Sequence, residues 1–187
     1  MAKIIFVDKN DNVIGAGTKQ EAWRKGIIHR ITRVFLFNSK GELLIQKRAD
    51  NLTSLPGKWD QSSAGHVDEG EDYLIAAKRE LEEEIGVRGI ELEEIKKFYT
   101  DEIDEAKIKK RFNMLYSAIY DGEVRFNKEE VSEVKWIKPL ELEGWMEEQP
   151  EKFTHGFIKS FKLIRQIPPK SNTDRDGSGL NFPSPLK

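Results

Sequence analysis

The segment Gly-His-Val-Asp-Glu-Gly-Glu-Asp-Tyr-Leu-Ile-Ala-Ala-Lys-Arg-Glu-Leu-Glu-Glu-Glu-Ile-Gly-Val, Gly65 to Val87, restricts this chain more than any other part of it. Leu74, Ala77, Leu81 and Ile85 recur at spacings of three and four, which predicts a helix over Asp72–Ile85 with an apolar stripe. Gly86 stands where a left-handed residue closes a helix. Glu80, Glu83 and Glu84 fall at i, i+3 and i+4, so their carboxylates share one helix face. Like charges at this spacing oppose the helix by about 0.2–0.5 kcal/mol per pair. A divalent cation converts that repulsion into coordination, and hard oxygen donors favour magnesium or manganese over zinc. Arg79 beside them is suited to a forked hydrogen-bonded pair with a carboxylate. A cluster of glutamates alone is usually a solvated face. Here the surrounding residues decide otherwise.

The rest of the chain alternates strands with a few helices. Lys3–Val7 and Val13–Ala16 read as strands joined by the turn Asp8–Asn12. Thr18 caps a short helix over Lys19–Lys25, stopped by Gly26. His29–Phe37 and Glu42–Lys47 form a hairpin through Asn38-Ser-Lys-Gly41, and Asn51–Lys58 is loop. Trp59–His66 is extended. Beyond the glutamate helix, Ile90–Thr100 and Phe112–Tyr120 are strands around a charged connection, Asp101–Arg111. Val131–Ile137 is a further strand, Pro139–Glu148 a helix with proline in its first turn, and Phe157–Ile167 a last amphipathic helix. Hairpins without regular strand–helix–strand alternation indicate an α/β (α+β) domain on a mixed sheet. One domain is expected over 1–167; from Pro168 to Lys187 the composition leaves little to bury, and a disordered tail is expected.

Composition removes several functional classes. The formal net charge of -2 offers no basic excess for nucleic-acid phosphates. The run Lys107–Arg111 is too short to change that and reads as a solvated strand or loop edge. With no cysteine there is no disulfide, thiolate metal site or cysteine nucleophile. The apolar run near Met1 is too short for a signal peptide, and no stretch is long enough to span a bilayer. The expectation is a cytoplasmic protein, monomer or homodimer, with a small-molecule partner.

The Gly65–Val87 segment resembles the Nudix signature: Gly, five residues, Glu, seven residues, then Arg-Glu-apolar-any-Glu-Glu-any-Gly-apolar. Gly65, Glu71, Arg79, Glu80, Leu81, Glu83, Glu84, Gly86 and Val87 match every fixed position. The resemblance implies an α/β/α sandwich around a mixed sheet, and hydrolysis of a diphosphate linkage with Mg2+ or Mn2+. It implies Glu80 and Glu84 as metal ligands, with Glu83 a third ligand or the base that activates water. The Gly65 carbonyl is a further ligand candidate, because glycine lets the backbone approach an ion closely. Glu71 and Arg79 are expected to brace the loop and helix.

Other stretches are similar to the Nudix branch related to isopentenyl-diphosphate isomerase. They are Asp8–Gly15, Ile28-His-Arg30, Gln46-Lys-Arg-Ala49, Leu55–Asp60, Ala64-Gly-His66, Glu130–Trp136 and Pro150–Thr154. The isomerase needs a cysteine just before the glycine–histidine pair, where this chain has Ala64, and its downstream metal-binding glutamates fall on Lys109 and Arg111. Of the histidines that hold its metal, only His29 and His66 have counterparts. Hydrolysis of a nucleoside diphosphate derivative or similar organic diphosphate is therefore the leading reading. Alternatives are a binding or sensing domain that does not cleave its diphosphate, and the isomerase itself. Arg48, Lys47, Lys58, His66 and Glu130 are candidate substrate contacts, and Glu133 lies on the same segment as Glu130. Trp59 and Trp136 are either base-stacking platforms or core residues. His155 carries no assignment.

Overall fold

The computed structural model describes residues 2–104 and 107–166. Within them a mixed sheet of nine strands is built around β3 (His29–Phe37). β3 pairs antiparallel with β1 (Ile4–Val7), β4 (Leu43–Arg48) and β6 (Ser63–His66), and parallel with β8 (Lys107–Ile119). β2 (Val13–Gly17) flanks β1, β7 (Glu93–Asp104) flanks β8, and β4 also holds β5 (Trp59–Asp60) and β9 (Val131–Ile137). Alternation along the central strands sends side chains to two cores. Val34, Leu36 and Leu44 pack with Ala77, Leu81 and Ile85 of α2 (Tyr73–Ile85). Phe35, Phe37, Leu43 and Ile45 pack on the other face with Leu142 of α3 (Pro139–Glu148) and Phe157 and Phe161 of α4 (His155–Arg165). Helices therefore cover both faces of a mixed sheet, the α/β/α arrangement expected. A smaller cluster seats α1 (Lys19–Lys25) through Ala22 on Ile4 and Phe6.

Helix ends follow local chemistry. Thr18 Oγ1 accepts from the Glu21 N–H, and Asp72 caps α2 through Ile75 N–H at 2.8 Å. Gly86, at φ 70, closes α2 in the left-handed region.

Two elements differ from expectation. Most of the expected Asp101–Arg111 connection is strand: β7 runs to Asp104 and β8 starts at Lys107, with Asp101 opposite Lys110 and Glu102 opposite Lys109. Oppositely charged residues facing across a ladder stabilise strands, so a charge-rich run is here a strand signal. The last helix begins at His155, two residues early, because Thr154 caps it by accepting from Phe157 N–H at 3.1 Å. Ile167 and the tail from Pro168 lie outside the described residues. Among the described residues, no helix is long and apolar enough to cross a membrane.

Candidate active site

A cleft of about 590 Å³ opens where β6, the following loop and α2 meet the ends of β3, β4 and β8. Gly65 and Ala64 reach it from β6, Glu80 and Glu84 from α2, Gln46 and Arg48 from β4, and Glu130 from the segment before β9.

Glu80 and Glu84 are one helical turn apart and both face inward. Glu84 is 6% exposed, and its Oε2 accepts from Gln46 Nε2 at 2.9 Å and Ala64 N–H at 3.1 Å. Glu80 lies against Gly65 so closely that a Cβ there would overlap its carboxylate. Burial pushes the pKa of both carboxyls up; the Glu80 charge raises Glu84 further, while Arg79 works against the shift at Glu80. Glu83 shares one guanidinium nitrogen, Arg79 NH1, with Glu80. It is half exposed and is held by Arg79 NH1 at 3.0 Å, outside the cleft lining.

Arg79 organises the loop between β6 and α2. Its guanidinium forks onto Glu71, with Nε to Oε1 at 2.7 Å and NH2 to Oε2 at 3.0 Å. It also donates to Glu80 Oε1 at 2.8 Å and to the His66 carbonyl at 3.0 Å. The bond to Arg79 holds the Glu71 carboxyl below its usual range.

The remaining candidates separate. His66 lines the cleft and stacks on buried His29, centroids 5.3 Å apart. Burial lowers both imidazoles, His29 down to about 4. Arg48 lines the cleft while its guanidinium donates to the Ser54 and Leu55 carbonyls. Lys47, Lys58 and Glu133 are not part of the lining. Trp59 is buried against Trp145, and Trp136 packs on the α2-side core, so neither reaches the cleft as a stacking platform. Lys109 and Arg111 stand in the cleft wall.

Several cleft residues have no role assigned from the sequence, among them Gln46, Arg33, Trp23 and His155. Gln46 and Arg33 had a signal, since each interrupts an otherwise apolar strand core. Trp23 and His155 had none, because each reaches the cleft only through helix placement.

Among the described residues, no three His, Cys, Asp or Glu side chains already converge as a metal site. The donor chemistry nevertheless suits a hard divalent cation: the buried Glu84 carboxylate and the largely covered Glu80 carboxylate lie one turn apart on α2, and a Cβ would fill the space at Gly65.

Residues 28–157 match the Nudix domain family. An isopentenyl-diphosphate Δ-isomerase of Serratia proteamaculans is 34% identical over 160 residues, covering 85% of this chain and 89% of that protein. An uncharacterized Nudix hydrolase of Pseudomonas aeruginosa is 38% identical over 136 residues, covering 73% of this chain and 78% of its own length. The crystal structure of a Deinococcus radiodurans protein shares the fold with a TM-score of 0.72 at 23% identity, covering 86% of this chain and 98% of that one. The match over residues 28–157, joined to the β6–loop–α2 geometry, establishes that this chain belongs to the Nudix family.

Proposed function

We propose that this chain is a Mg2+- or Mn2+-dependent pyrophosphohydrolase that cleaves the diphosphate linkage of a nucleoside diphosphate derivative or similar organic diphosphate. It is a hydrolase acting on diphosphate bonds. The observation that carries the metal reading is buried Glu84 one helical turn from Glu80, whose largely covered carboxylate presses against Gly65. Two like charges held close in a site of low polarity call for a cation between them. Glu80, Glu84 and the Gly65 carbonyl would hold it, with Glu83 joining on release from Arg79. The ion, when bound, would neutralise charge on the diphosphate oxygens as the linkage breaks.

The chain's own residues supply positioning. Arg79 and Glu71 tie the β6–α2 loop to the helix, so the Gly65 backbone and Glu80 keep their relation. Gln46 and the Ala64 N–H fix the Glu84 carboxylate. Glu130 lines the cleft near enough for its charge to raise the Glu80 pKa, which supports assigning to it the proton of the attacking water.

The test is a panel of nucleotide diphosphates and related compounds assayed with Mg2+, Mn2+ or EDTA, with phosphate and nucleotide products identified separately. Glu84→Gln should lower turnover by about a hundredfold or more while the protein stays folded. Full activity in that variant removes the assignment.

The isomerase reading draws support from the similarity to the Serratia protein. Against it stand Ala64 at the cysteine position, and Lys109 and Arg111 where glutamates would be required. Isotope exchange into isopentenyl diphosphate should be absent.

A further inference from the structure

Leu52 and Leu55, on the loop between β4 and β5, line the cleft half-buried. Neither belongs to the three hydrophobic clusters among the described residues. Apolar surface left uncovered beside a polar site is what an apolar part of a ligand covers. Leu55 is also held in a conformation that leucine rarely adopts. Its φ is 50, in the left-handed region, and Pro56 follows it, whereas a residue before proline ordinarily takes extended backbone at negative φ. Strain of that kind persists only where neighbouring structure over-determines it, and it collects in loops that clamp ligands.

Arg48 holds that loop. Its Nε donates to the Ser54 and Leu55 carbonyls, both at 3.2 Å, and its NH2 to the Ser54 carbonyl at 3.0 Å. Its backbone grips the far side of the loop, accepting from Gly57 N–H at 3.1 Å and donating to the Lys58 carbonyl at 2.9 Å. A guanidinium turned onto loop carbonyls has spent its forked geometry on the loop and not on an anion. The root of the loop stands beside the acidic centre. Gln46, which holds Glu84, lies two residues before Arg48 on β4, and the Ala49 N–H donates to the Glu130 carbonyl at 2.9 Å. The two leucines therefore face the same cleft as the carboxylates, on a loop whose shape one arginine fixes.

We propose that Leu55, with Leu52, is a specificity-determining wall that covers the apolar surface of the substrate's organic part, and that Arg48 is a positioning residue that keeps this wall in place. Cleavage of the substrate rests on the pyrophosphohydrolase reading; binding against the wall does not. The substrate class narrows to organic diphosphates whose organic part offers an apolar face, either the plane of a base or a hydrocarbon chain. A fully hydroxylated group gains nothing there, because leucine offers it no hydrogen-bond partner.

Methyl diphosphate, butyl diphosphate and ADP share one diphosphate and differ in the organic part. Each is assayed with the full chain and Mg2+ for release of phosphate, and each is titrated calorimetrically with Mg2+ into Glu84→Gln, whose slow turnover leaves the compound intact. Butyl diphosphate, ADP or both should show a KM and a Kd at least tenfold below those of methyl diphosphate, the gain expected from covering one leucine side chain. The compound that gains tells a hydrocarbon from a base. Leu55→Asn installs a residue that accepts the left-handed backbone and removes the apolar side chain. It should bring the ratio to methyl diphosphate within about twofold of one, at a melting temperature no lower than that of the parent chain, whereas Leu55→Met should keep the ratio. Arg48→Gln should also collapse the ratio; a phosphate contact would instead raise KM for all three compounds by one factor and leave the ratio standing. Equal affinity for all three compounds in the parent chain, or a ratio that survives Leu55→Asn or Arg48→Gln, overturns the proposal. A lowered melting temperature in Leu55→Asn makes the side chain a packing residue and overturns it as well. A Leu55-dependent ratio of Kd in a chain that cleaves none of the three supports the wall and overturns the enzymatic reading instead.

Discussion

Gly65 works by having no side chain. The Glu80 carboxylate fills the space a Cβ would take, so Gly65→Ala must move the carboxylate, the strand or both. An ångström of displacement at a reacting centre costs about a hundredfold in rate. We expect Gly65→Ala to lower kcat by about that factor, with the circular dichroism of the wild type retained. Glu80→Gln separates function from stability in another way. It relieves repulsion inside a buried pair, so in EDTA at pH 8 it should raise the melting temperature by about 2–4 °C, equivalent to about 1 kcal/mol, while hydrolysis is lost. A lower melting temperature in the variant would show that the pair is not strained. At this scale the sequence was legible where spacing carried chemistry, at Gly65, Arg79, Glu80 and Glu84. At Glu83 it gave the helix face but not the partner, because helical spacing places a residue on a face without saying which neighbour binds it. Arg79 holds Glu83 at 3.0 Å, away from the cleft.

α2 is the element on which the site depends, and its C-terminus shows how firmly it is set. Gly86 has φ 70, and a Cβ there would come within 2.6 Å of the Arg125 carbonyl. Strain and contact act together, so Gly86→Ala should destabilise by at least about 1 kcal/mol and lower the melting temperature by about 2–4 °C. An unchanged melting temperature would mean that the neighbouring Val124–Phe126 segment gives way freely. Caps and stripes of this kind are local, and α1, α2 and β3 were therefore readable within a residue or so. The β7–β8 hairpin was not. Asp101–Arg111 is polar enough to read as loop, and its strand character comes from pairing Asp101 with Lys110 across the ladder. Pairing is a property of two segments, and a window along one of them does not contain it.

Across the whole molecule the cleft joins the carboxylates of α2 to a wall on β3 and β8 where Arg33, Lys109 and Arg111 lie with Glu102. His66 lines the cleft between them and stacks on buried His29, and burial keeps both imidazoles neutral. The folded-state pKa of His29, about 4, lies below its ordinary value of 6.5, so the unfolded chain binds more protons in that interval. Its contribution to stability is complete above pH 6.5 and is lost as pH falls toward 4. His29→Phe keeps a flat ring against His66 and should flatten the acid limb of melting temperature against pH. A variant with the same acid limb as the wild type would place the titration elsewhere. The sequence by itself determined the carboxylate helix, its caps, the glycine beside it and the absence of a cysteine, because these rest on contacts within a few residues or on composition. Tertiary structure alone decided that Trp59 and Trp136 serve the cores, that Arg33 is buried in the cleft wall, and that the first turn of α4 faces it. Arg33 and His155 are far apart along the chain, and only the packing of α4 on the β3 face brings them to one cleft.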